Sequence, residues 1–344
     1  MSTDQSEIEI RKMENSINSK SQLHELPDDK LLEALGYKEQ LYRGLGSFSN
    51  FAIGFTEVNV IASITIILGG SLGQGGPAMI VWGFLTVFFG MQIAAISLAE
   101  ICAAYPSAGS VYHWAAQVVP EEWAPFWSYV TGIFNFIGNA AGDASFAFGF
   151  AELFNSALDA SGIKPYQPGA ETVMVSLFVI IVWSVLNFMR IDKVGWMQTF
   201  AAYFQLASLI VVCVSILVMQ NPLNTGKNVF GGYYNNTGMA DDIKASNGGN
   251  NRIMVGFLGL QCGLFAFVGF EAPAHLAEET TNSSENAPKG IIYTVTASGI
   301  AGLFYYICLL FACTDINAVV NGVSDDDSLN LTDYAATNVF ILAW

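Results

Sequence analysis

Apolar residues along this chain come in long runs separated by short polar stretches, and a helix needs about 20 such residues to cross a bilayer. Seven runs and the start of an eighth can be marked. The first, about Ser47–Leu68, is interrupted by Glu57 and Asn59, whereas the second, Pro77–Ala99, is uncharged. The third, Trp123–Phe154, is long enough to tilt and contains Asn135, Asn139 and Asp143. The fourth, Thr172–Met189, and the fifth, Val194–Gln220, carry no charge across their apolar stretch. The sixth, Ile253–Ala277, holds Glu271 and His275, and the seventh is Gly290–Cys313. An eighth starts at Tyr334 and stops about ten residues later at Trp344, and a half-span cannot satisfy its terminal backbone groups in lipid. The expectation is a fragment of a longer chain, the alternative a segment lying at the interface.

Between the runs, residues 1–43 form a charged tail, expected to be disordered, with a short helical period only from Asp28 to Tyr37. The stretch Asn221–Asn251 is rich in Gly and Asn and reads as irregular. The stretch Ala103–Glu122 gathers Tyr105, Tyr112 and Trp114 around Pro106 and Gly109, which suggests a re-entrant or interfacial helix. The domain reading is a tail 1–43, a first repeat 44–220, an extracellular loop 221–252 and a partial second repeat 253–344.

Composition supports lipid exposure. Of 344 residues 53% are apolar and 12% charged, against about 25% charged in a soluble protein. Mean hydropathy is +0.44. The chain reads as an all-α, multi-pass integral membrane protein with membrane lipid as its solvent. A net charge of -16 excludes nucleic acid, which requires clustered Lys and Arg. The five cysteines form neither a C-x-x-C nor a Cys/His ligand spacing, so no disulfide framework, metal or other cofactor is indicated. No signal peptide precedes the first run, so the first span is expected to act as the targeting signal.

Lys and Arg set the orientation. With the N-terminus cytoplasmic, nine bases lie inside and four (Lys164, Lys227, Lys244 and Arg252) outside. The sequons at Asn235 and Asn330 then face outside as glycosylation candidates, while that at Asn282 faces inside.

Ionisable groups at membrane depth mark functional sites unless they are paired or snorkel. Those clearly within spans are Glu57, Asp143, Glu271 and His275. Glu57, Asp143 and Glu271 are therefore proton-coupling candidates, whereas His275 sits near a span end and reads as structural. Backbone interruption is the second signal. Asn59 follows Glu57 in the first span, and Gly263, Gly269 and Pro273 flank Glu271 in the sixth. Interrupted segments at matching places in two halves point to a secondary-transporter site, and these lie five spans apart. An unwound helix offers N–H groups to a carboxylate and carbonyls to a cation or ammonium. Phe265, Phe267 and Phe270 add ring faces beside the break, although a phenylalanine stripe is more often packing.

The sixth-span stretch Phe267-Val268-Gly269-Phe270-Glu271-Ala272-Pro273-Ala274-His275-Leu276-Ala277-Glu278-Glu279-Thr280 resembles the GFDASAHMAEET-type signature of fungal and plant amino acid permeases. These belong to the amino acid–polyamine–organocation superfamily, in the branch of GABA and choline permeases. Leu35-Gly36-Tyr37-Lys38, Phe51–Thr56, Gly69–Ala78 and Pro106–Trp114 resemble that branch in the same order. The resemblance implies a five-plus-five inverted-repeat (LeuT-like) transporter fold with an incomplete second repeat, moving amino acids or small amines by alternating access. It places substrate at the breaks of spans one and six. On this chain those positions are Glu57, Val58, Asn59, Ala62, Ser63, Phe265, Ala266, Phe267, Val268, Gly269 and Glu271. A coupled proton or sodium ion, and the plasma or vacuolar membrane, are implied with it.

Ser110 stands where the family often has glycine, and Pro273 where serine is common. Gln205 is the nearest polar residue to the fifth-span lysine of many bacterial relatives. Choline or polyamine permease, and a truncated non-transporting product, remain open. An intramembrane aspartyl protease would need a second aspartate on another span. A channel would show a filter loop or rings of charge.

Overall fold

The computed structural model describes residues 43–163, 169–188, 191–239, 251–322, 331–332 and 334–343. The tail to residue 42, with its Leu35–Lys38 motif, and the sequon residue Asn330 lie outside the described residues. The described residues are helical, with two isolated β-bridges and no strand. In chain order the helices are α1 (Ser47–Val58), α2 (Val60–Gly73), α3 (Gly76–Ala104), α4 (Ser110–Val118), α5 (Ala124–Ala160) and α6 (Ala170–Asn187). There follow α7 (Ile191–Met219), α8 (Gly226–Gly231), α9 (Asn251–Phe265), α10 (Ala272–His275), a 3-10 turn (Ala277–Glu279), α11 (Ser283–Ala312), α12 (Ile316–Asn321) and α13 (Ala335–Ala343).

Among the described residues, five helical stretches are long and apolar enough to cross a membrane: Ser47–Gly73, Gly76–Ala104, Ala170–Asn187, Trp196–Met219 and Ser283–Ala312. Two expected spans fall short of that measure for physical reasons. α5 runs to Ala160, past the expected end at Phe154, and Asn135, Asn139 and Asp143 lower its apolarity. The sixth span is broken, and its apolar helix ends at Phe265. α6 exposes Met174, Phe178, Ile181 and Val185 with little buried beneath, as a lipid-facing helix does. The chain is an integral membrane protein.

α11 is the central helix and packs on α3, α1, α7 and α2. Glycine permits the approach. A Cβ on Gly302 would lie 2.7 Å from Phe84 Cζ and 2.7 Å from Val60 Cγ2, and one on Gly299 would overlap the Phe88 ring. Without a hydrophobic drive between spans, such small-residue contacts and interhelical hydrogen bonds supply the association. Thr65 and Tyr305 hydroxyls meet at 2.9 Å, and Cys213 and Cys308 face each other across α7 and α11 as free thiols.

The 221–251 stretch is more ordered over its described part than its composition suggests. α8 docks on α3, where the Trp82 indole donates to the Phe230 carbonyl at 3.0 Å. A Cβ at Gly76 would meet the Tyr234 amide nitrogen at 2.5 Å, so only glycine lets this loop cross the start of α3. Asn235 lies in that crossing, its Oδ1 accepting from the Thr237 amide and hydroxyl.

The loop between α3 and α5 forms a short helix, as the Pro/Gly turn and its aromatics predict. The Trp114 indole donates to the Tyr105 carbonyl at 3.0 Å. Ser110, at φ 41°, occupies left-handed backbone, and its buried hydroxyl has no partner among the described residues. Ser110→Gly removes both penalties and is expected to raise stability by about 1 kcal/mol, read as a higher melting midpoint in detergent.

Candidate functional site

The first span breaks at a single residue. Asn59 adopts φ 37° and ψ 59°, ending α1 and opening α2. Asparagine tolerates left-handed backbone better than most side chains because its amide bonds locally. Here Oδ1 faces the Ala62 amide at 3.5 Å. Ser63, fully buried, donates its hydroxyl to the carbonyls of Val58 at 2.9 Å and Asn59 at 3.1 Å. The carbonyls at this break are thus capped internally, and the Asn59 carbonyl also takes up the Ser63 amide at 3.0 Å.

The sixth span breaks over a longer stretch. α9 stops at Phe265, residues 266–271 form successive turns, and Gly269 takes φ 88°. The Phe267 and Phe270 amides bond back to Leu264 and Phe267 at 3.1 and 3.3 Å, the tight spacing of an unwound helix. Pro273 then starts α10.

The breaks touch. A Cβ on Gly269 would stand 2.9 Å from Glu57 Cγ, so the sixth-span turn rests on the last turn of α1. α5 completes the enclosure with residues spaced four apart, hence on one helical face. Asn135 Nδ2 lies 3.5 Å from Glu271 Oε1, Asn139 donates to Asn135 Oδ1 at 3.3 Å, and Phe146 lies 5.7 Å from Phe265 between ring centroids. Gly142 approaches Val268, and Asp143 and Glu271 lie within electrostatic reach of Glu57. Glu57 and Glu271 thus stand on the two breaks themselves, while Asp143 is exposed on α5.

The eleven positions expected to bind substrate divide into two sets. Glu57 and Val268 are exposed, and Asn59, Ala62, Phe265, Gly269 and Glu271 are half-buried around the junction. Val58, Ser63, Ala266 and Phe267 are buried and point into packing. The Phe267 ring stacks on Phe84 at 5.4 Å and Phe88 at 6.1 Å, a wall behind the site. Gln205 is buried on α7 with its Nε2 unpaired among the described residues.

Sequence reasoning omits Asn135, Asn139 and Phe146 from the site. The four-residue spacing of Asn135, Asn139 and Asp143 is the signal that would have found the polar stripe. A cavity of about 650 Å³ lies between α5 and α6 and is lined by Phe150, Phe154, Met174, Phe178 and Trp183. Its lining side chains are apolar and none belongs to the breaks, so it does not carry the chemistry.

Below the sixth-span break the chain is clamped. Asn50, fully buried on α1, donates to the Pro273 carbonyl at 3.0 Å and the Thr280 hydroxyl at 2.9 Å. The Leu45 amide and carbonyl pair with Glu279 and Thr281 at 3.0 and 2.9 Å. Burial lowers the His113 imidazole below its ordinary value, against an opposing pull from Glu278, and raises the Glu279 carboxyl, helped by Glu278.

Two interrupted spans that meet with ionisable groups at their junction place the chain among multi-pass membrane proteins with broken helices. Comparison with known proteins is consistent with that class. The amino acid permease family model matches residues 45–342, and the chain belongs to that family. It is 31% identical over 323 residues to "Amino-acid permease BAT1" of Arabidopsis thaliana, covering 91% of this chain and 59% of that protein. It is 30% identical over 320 residues to "Amino-acid permease BAT1 homolog" of Oryza sativa subsp. japonica, covering 91% and 59%. It is 26% identical over 303 residues to "GABA-specific permease" of Saccharomyces cerevisiae, covering 87% and 51%. The chain thus spans between half and three-fifths of the length of these curated relatives.

Proposed function

We propose that the paired breaks form the substrate site of a secondary transporter for amino acids or small amines, working by alternating access. The observation that carries this reading is the contact of Gly269 with Glu57, which joins two interrupted spans, each with a carboxylate at its break. The start of α2 suits a substrate carboxylate, since the positive end of a helix attracts anions. Glu57, Asp143 and Glu271 suit an ammonium group, and any of them not so paired is placed to carry a coupled proton. γ-Aminobutyrate, the substrate in one relative's name, carries both charges. The acid-rich junction also favours a second reading, a choline or polyamine substrate, which needs the carboxylates and ring faces alone.

In this reading the N-terminus is cytoplasmic, the protein sits in the plasma or vacuolar membrane, and Asn235 and Asn330 face outside as glycosylation acceptors. A proton or sodium ion accompanies the substrate. Uptake of radiolabelled γ-aminobutyrate into proteoliposomes, competed by amino acids, choline and putrescine, tests the assignment. The double variant Glu57→Gln, Glu271→Gln is expected to lose at least tenfold in uptake. Full activity in that variant contradicts the reading.

A further inference from the structure

The sixth-span signature ends in His275, Glu278, Glu279 and Thr280, and substrate binding gives these residues no task. His275 and Glu278 both meet one residue of the loop between α3 and α4. The Ala108 amide donates to Glu278 Oε1 at 2.9 Å, and the Ala108 carbonyl faces His275 Nδ1 at 3.4 Å. The two side chains are three residues apart and so share a face of α10 and the 3-10 turn. Together they hold both backbone polar groups of a single residue.

The loop they hold is rigid enough to transmit a position. Pro106 and Ser107 are buried, and the Ser107 and Ser110 amides bond to Tyr105 and Ser107 at 3.0 Å each. The indole of Trp114 ties α4 to Tyr105. On the other side, α10 begins immediately after Glu271, so a displacement of His275 displaces the break. Asn50 holds the same segment from α1.

We propose that His275 and Glu278 are positioning residues: by clamping Ala108 they anchor the sixth span to the 105–118 loop and hold Gly269 and Glu271 in place at the break. The inference rests on the substrate reading for what is being positioned, but the clamp itself is measurable without substrate.

Hydrogen–deuterium exchange of the full chain in nanodiscs tests it. Glu278→Ala and His275→Ala are expected to raise amide exchange about tenfold in two separate segments, 105–118 and 266–275, the size expected for losing one hydrogen bond. Glu278→Gln keeps the acceptor oxygen and His275→Asn keeps a donor near the Nδ1 position, so both are expected to stay close to wild type. Glu278→Asp, with a shorter reach, is expected to fall between and serves where the alanine variant does not fold. Exchange that rises in 105–118 alone overturns the proposal, as does a Gln variant as loose as the Ala variant. Binding of radiolabelled γ-aminobutyrate and of mixed labelled amino acids is measured on the same samples. A wild type that binds none of them, while the exchange pattern holds, contradicts the substrate reading and leaves the clamp supported.

Discussion

Gly269→Ala is expected to abolish substrate handling while leaving the protein folded. Alanine at φ 88° is strained by about 1–2 kcal/mol, and its Cβ would stand 2.9 Å from Glu57 Cγ. The tight contact is to the Glu57 side chain, whereas the Glu57 backbone carbon, 3.7 Å away, is at ordinary contact distance. Either the sixth-span turn lifts off α1 or Glu57 swings out, and both separate the carboxylates that define the junction. A total cost of about 2–4 kcal/mol, strain plus overlap, is large enough to weaken binding by a factor on the order of a hundred. Equilibrium binding of labelled γ-aminobutyrate checks this, with the melting midpoint measured alongside. Gly138→Ala, where a Cβ meets nothing within 4 Å, is the control expected to change neither.

Asn50→Ala is expected to have the largest effect on stability. The side chain is 0% exposed and links α1 to the Pro273 carbonyl and the Thr280 hydroxyl. Interhelical hydrogen bonds within membranes contribute roughly 0.6–1.7 kcal/mol each, so losing both costs about 1–3 kcal/mol. The cavity left against Gly290 adds to that, because a Cβ there would already overlap Asn50 Oδ1. Thermal unfolding in detergent is expected to show a clear drop in midpoint. Asn50→Asp is expected to do no better, because a carboxylate cannot donate to the Pro273 carbonyl.

The sequence carries the interruption signals in local chemistry. Asn59 beside an acid, and Gly269 followed by Pro273, are residues a plain spanning helix avoids, and both places are unwound. The width of each interruption is not local. From sequence the first break covers about Glu57–Ser63, whereas only Asn59 leaves the helix, because Ser63 returns its hydroxyl to the break carbonyls. A serine in a span reads the same whether it faces substrate or caps the backbone. Phe267 presents a similar ambiguity, and burial against Phe84 and Phe88 makes it a wall. The juxtaposition of Gly269 with Glu57 depends on tertiary packing across more than two hundred residues of chain, so no local pattern encodes it. The task of Glu278 is hidden for the same reason, since its partner is the backbone of Ala108.

The central claim is that substrate sits where the two broken spans meet. Val268 is 36% exposed at that junction and faces Gly142 of α5. In a background with Cys262 replaced by alanine, Val268→Cys can be labelled by a small methanethiosulfonate reagent, and the rate followed with and without a saturating amino acid. The expected result is at least fivefold protection at position 268, with none for Phe178→Cys at the lipid-facing cavity between α5 and α6. Tight substrate binding that leaves the labelling rate at position 268 unchanged would contradict the account.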